Sequence, residues 1–176
     1  MRCGIGANHM IRRVAFGKAI IAGVIGAAAW EVVARVLKTT GLPVFDLVKV
    51  LGTTVFGPNA EALLWWPTGM ILHTSVGAIW AIFYAYFFWT IFDLRPVLQG
   101  ILFSLLPAFL AGLIMVPQMS LMQAAPRNVF GLFAINLGFW GPAMILLGHL
   151  VYGAVLGSMY VRPVGYKTGR RIDLHA

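Results

Sequence analysis

The chain has little charge and very little of it negative: five Asp and Glu residues among 176, against 13 Lys and Arg. It has no carboxylate pair, no nucleophile elbow and no phosphate-binding glycine loop, so nothing in it supports a hydrolase or a nucleotide enzyme. Cysteine is nearly absent. Cys3 stands alone, which excludes an intrachain disulfide and a thiol-based metal site and leaves a free thiol near the terminus. Polar surface is the largest lack. With 60% hydrophobic residues, 10% charged residues and a mean hydropathy of +0.87, the composition is too apolar for a water-soluble domain, and lipid is the expected solvent.

A spanning helix needs about 20 mainly apolar residues, and four windows supply them, at 19–37, 68–92, 97–116 and 142–161. The expected fold class is an all-α integral membrane protein with four transmembrane helices. Its expected arrangement is two similar two-helix halves, with short amphipathic interfacial helices in the outer loops. Residues 1–18 and 162–176 form basic tails on either side of one transmembrane domain, 19–161. The basic start and AIIAGVIGAAAW have the outline of a cleaved signal peptide. The apolar run continues through EVVARVL to spanning length, so a retained first helix is expected.

The net charge of +8 could suggest nucleic acid, but its distribution argues against that partner. Arg2, Arg12, Arg13, Lys18, Arg95, Arg162, Lys167, Arg170 and Arg171 fall on one side of a four-span topology. Only Arg35, Lys38, Lys49 and Arg127 fall on the other. The positive-inside bias then places both termini in the cytoplasm, with the tails touching anionic headgroups. Trp65, Trp66 and Trp89 stand at the two ends of the second span, as aromatic belts do. Gly41-Leu42-Pro43 stops the first helix. The amphipathic PVFDLVKVLGTTVFGP and the segment 129–140 are expected to lie on the outer membrane surface. Pro107, central in the third span, predicts a kink.

The second and fourth spans share a pattern, His-x3-Gly-Ala-x5-Tyr. His73, Gly77, Ala78 and Tyr84 in one match His149, Gly153, Ala154 and Tyr160 in the other. At 100° per residue the glycine and tyrosine fall about 40° and 20° from the histidine, so all three line one helix face. Both helices run inward, which sets the imidazoles at matched depth, roughly 10 Å below the outer boundary. Three readings of the pair compete. Each imidazole can act as polar glue over a small-residue seam. His73 and His149 can be axial ligands of a b-type haem or a chlorin, with Gly77 and Gly153 giving ring clearance or helix packing. Glu31, at similar depth in the first span, can join the two histidines to bind a divalent metal or relay a proton. An i,i+4 pair with Arg35 is the simpler account of Glu31. His9 and His175 are expected in solvated tails, and Met115, Met119 and Met122 are expected to be adaptable packing rather than a copper site.

AGVIGAAAW, GLPVFDLVKVLG, HTSVGAIWAIFYA and the closing GHLVYGAVLGSMY resemble, in this order, an uncharacterised family of small four-span bacterial inner-membrane proteins. The resemblance covers most of 19–161, and its most specific part is GHLVYGxxLGxxY. It implies a four-helix inner-membrane protein and carries over no catalytic residue. The leading expectation is a non-enzymatic accessory or scaffolding subunit, whose partners are the bilayer and other membrane subunits or itself. A haem- or pigment-holding electron-transfer subunit is the alternative. An oligomeric channel or transporter is disfavoured by the shortage of polar spans.

Overall fold

The computed structural model describes residues 14–42, 44–89, 91, 94–122 and 130–160. Cys3, His9, Pro43, Arg127, His175 and the basic tails outside Val14–Tyr160 lie outside the described residues, as does the side chain of Met122. The described residues are helical, with no strand among them. Four helices are long and apolar enough to cross a membrane: α1 Phe16–Thr39, Ala62–Phe88, Pro96–Met119 and α6 Trp140–Met159. The second is α3, Ala62–Phe83, closed by a π-helical turn at Tyr84–Phe88. The third is α4, Pro96–Leu110, which passes through a π-helical turn at Ala111–Met115 into α5, Val116–Met122.

The starts and ends differ from the apolar windows. α3 begins six residues before its window and carries Pro67 inside it, a lost donor that membrane helices tolerate. Pro107 removes a donor in the last turn of α4, near the middle of the Pro96–Met119 span, and a π turn follows at Ala111–Met115. Gln99 is buried at the start of α4 and donates from Nε2 to the Phe88 carbonyl at 3.1 Å, tying the two helices across their short turn.

Glycine governs how closely the helices approach, since packing rather than hydrophobicity drives association in lipid. α1 buries Ala19, Ala22, Gly23, Gly26 and Ala27 along one face. A Cβ at Gly77 of α3 would stand 2.7 Å from the Gly23 carbonyl oxygen and 2.9 Å from Ala27 Cβ. A Cβ at Gly26 would stand 2.9 Å from the Tyr152 ring of α6. On the far side of α6, a Cβ at Gly153 would stand 2.5 Å from the Gly100 carbonyl of α4. The spanning helices therefore pack in the order α3, α1, α6, α4. α3 and α4 meet chiefly at the end where α1 starts and α6 finishes. There Phe103 packs its ring 5.0 Å from Tyr84 and 5.2 Å from Phe88, centroid to centroid.

Two shorter elements cover the opposite end. α2, Leu47–Phe56, is capped by Asp46, which accepts from the Lys49 amide at 3.0 Å. Gly52 rests against the Trp65 backbone and Gly69 against the Val48 carbonyl. Rising numbers on one helix meet falling numbers on the other, so α2 stands antiparallel beside the opening turns of α3. The segment expected to be a helix at 129–140 is instead a 3-10 run, Leu132–Leu137, bracketed by Gly131 and Gly138 at positive φ. Phe133 and Ala134 within it are left-handed, an uncommon conformation for residues with a Cβ. The Phe133 ring fills the space left by Gly112, and the Ala134 carbonyl sits over Gly141.

Candidate functional site

Because α3 and α4 stand apart, a cavity of about 190 Å³ lies between them. Trp80 and Pro107 line its end next to the Phe103 cluster. Leu47 and Leu51 of α2 and Val116 and Met119 of α5 line its opposite end. Trp30 of α1 and Met144 of α6 form its back wall, and Met115, in the π turn after α4, faces them. The walls are overwhelmingly apolar.

Both motif histidines line this one cavity. His149 Nδ1 lies 2.7 Å from the Ile145 carbonyl, one turn back on its own helix. A carbonyl only accepts, so Nδ1 carries the proton and Nε2, on the far edge of the ring, keeps its lone pair. His73 Nδ1 is buried without a hydrogen-bond partner, and Glu31 Oε1 lies 3.4 Å from it. Glu31 is itself buried and stands 4.0 Å from the Arg35 guanidinium, the i,i+4 neighbour expected for it. The carboxylate therefore lies between an intramembrane imidazole and an arginine whose side chain is half exposed.

The expected residues do not all converge. Glu31 meets His73, while His149 is engaged by its own backbone. Among the described residues no three His, Cys, Asp or Glu side chains gather so as to hold a metal ion. The Glu31, His73 and His149 set is thus not assembled as a three-ligand site. Met115 and Met119 line the cavity wall. Gly77 borders the cavity and packs on α1, whereas the space beside Gly153 is taken by Gly100 and Ser104 of α4. Gly153 is a packing position and offers no clearance for a ring. The volume also argues against a macrocycle, since about 190 Å³ falls below the roughly 300–1,000 Å³ of pockets for drug-sized ligands. The His149 arrangement itself, with Nδ1 tied to a carbonyl, is one that an axial ligand would use.

Tyr152 is a site residue that the motif comparison does not single out. Its hydroxyl donates to the Gly77 carbonyl at 2.7 Å, joining α6 to α3 beside the cavity. The available signal is its spacing, three residues after His149 and so on the same face. Trp30 and Met144 carry no signal beyond apolarity. No family model, curated protein or solved structure matches this chain.

Proposed function

We propose that this is a non-enzymatic, multi-pass protein of the bacterial inner membrane, an accessory subunit that holds a small lipid-soluble group between α3 and α4. The observation that carries this reading is the cavity itself: apolar walls, two imidazoles, and a position between spanning helices. On this reading both termini are cytoplasmic, as the basic residues at that end require. The chain then belongs with the small four-span proteins it resembles. Purification in mild detergent should recover the chain with partner subunits. Recovery of a lone, ligand-free monomer overturns the proposal.

The reading includes an internal duplication, which accounts for the cavity. Gly100 stands to Gly153 as Gly23 stands to Gly77, so the α1–α3 and α4–α6 seams correspond. In the same register Phe103 takes the place of Gly26, and Pro107 that of Trp30. Gly26 lets α1 close against Tyr152 of α6. On this reading Phe103, fully buried against Tyr84 and Phe88, is the bulk that keeps the equivalent α4–α3 seam from closing as tightly. In this proposal the halves are alike, and one wedge makes their second junction a binding space. In this arrangement α2 and the 132–137 turn cap the outer side near the headgroups.

A haem or chlorin on His73 and His149 is the second reading, favoured only by the free Nε2 of His149. It requires α3 and α4 to separate further. An absorption spectrum of the purified protein decides it, and the absence of a Soret or chlorin band removes it.

A further inference from the structure

The two faces of the His149 ring edge differ in what they ask of a ligand. Nδ1 is satisfied by the Ile145 carbonyl, and Nε2 has no partner among the described residues. An unpaired acceptor inside an apolar space is costly, and only a donor satisfies it. The rest of the wall restricts that donor. Trp30 and Trp80 present aromatic surface, and Met115, Met119 and Met144 present thioethers, which pack well against ring edges. No Lys, Arg, Asp or Glu lines the cavity, so a charged ligand would be left without a counter-ion. In size, about 190 Å³ is somewhat larger than the roughly 150 Å³ cavity that accepts benzene. A single substituted ring fits. The gap between α3 and α4 lies between two membrane-spanning helices, which suits a ligand that arrives from lipid.

We infer that the cavity takes a neutral aromatic alcohol, a phenol-type ring whose hydroxyl donates to Nε2 of His149. This rests on the cavity being a binding site and adds the chemistry of what binds. A ring bearing only carbonyl acceptors would meet the imidazole lone pair to lone pair and is disfavoured at this position.

The test uses the full chain in nanodiscs, titrated calorimetrically with para-ethylphenol and with para-ethyltoluene, its near-isostere lacking the hydroxyl. Empty nanodiscs give the partition blank. The phenol should bind about tenfold more tightly, the usual worth of one satisfied hydrogen bond. The His149→Leu variant should lose that preference while still binding para-ethyltoluene. Equal affinities in the unmodified protein overturn the hydroxyl assignment and leave the cavity reading standing. Binding of neither compound above the blank overturns both. Should His149→Leu fail to fold, His149→Gln, which restores an acceptor, must retain the preference. Its loss there also counts against the inference.

Discussion

Replacing Gly153 with alanine separates two forces of opposite sign. On an exposed helix position the change stabilises by about 1 kcal/mol, because alanine is the better helix former. At Gly153 the added Cβ would stand 2.5 Å from the Gly100 carbonyl oxygen, 2.5 Å from Ser104 Oγ and 2.7 Å from Ser104 Cβ. Two of these atoms belong to a fully buried serine and one to helix backbone, so neither can swing aside. Ordinary contact begins near 3.4 Å, which requires α4 and α6 to part locally by about 0.9 Å. A gap of that size forfeits a quarter to a half of each dispersion contact along the seam. Overpacking of this kind costs about 2–3 kcal/mol, so the net loss is about 1–2 kcal/mol after the helix gain. Thermal unfolding in mild detergent, followed by tryptophan fluorescence, should show a midpoint lower by roughly 2–8 °C. Gly17→Ala is the control, since nothing lies within 4 Å of a Cβ there. It should be neutral or stabilising by up to about 1 kcal/mol. If Gly153→Ala is as stable as that control, the α4–α6 seam is not packed as described.

Three further substitutions test other parts of the structure by the same assay. Tyr152→Phe removes the hydrogen bond to the Gly77 carbonyl and should cost about 0.6–1.7 kcal/mol, the range for interhelical bonds in membranes; no change means that the hydroxyl is not engaged there. Phe103→Ala should cost about 3–5 kcal/mol, as loss of a buried aromatic does; a cost under about 1 kcal/mol refutes its role as a wedge. Arg35→Ala should change stability by less than about 0.5 kcal/mol because its side chain is half exposed, whereas Glu31→Ala, which removes a buried carboxylate 3.4 Å from His73 Nδ1, should change it by more. Equal effects of these last two would show that the Arg35 pair, not the His73 contact, is what Glu31 serves.

The four spans were legible because apolar runs of sufficient length have few alternatives, and each window overlaps its helix. Helix ends were less so. The window at 68–92 starts after Pro67, yet α3 runs through that proline, and Pro107 predicts a kink without revealing the π turn at Ala111–Met115. The placement of α2 depends on Gly52 and Gly69, whose meaning appears only once Trp65 and Val48 lie across from them. The same holds for 129–140, where Gly131, Gly138 and the Phe133 ring break the helical pattern that hydropathy suggested. At the site, the period of 3.6 was enough to bring His73 and His149 to one place. It could not distinguish Gly77 from Gly153, because the difference lies in which helix packs against each. Nor could it foresee the cavity, whose walls come in part from helices that carry no motif.

The most direct test of the central claim, that the space between α3 and α4 holds a small lipid-soluble molecule, is native mass spectrometry of the full chain released from its own membranes. The unmodified protein should carry an additional low-mass, neutral organic component. The Met144→Trp variant, which fills the cavity wall from α6, should fold and lack it. Identical masses of bare polypeptide from both proteins, or the same adduct on both, would contradict the account.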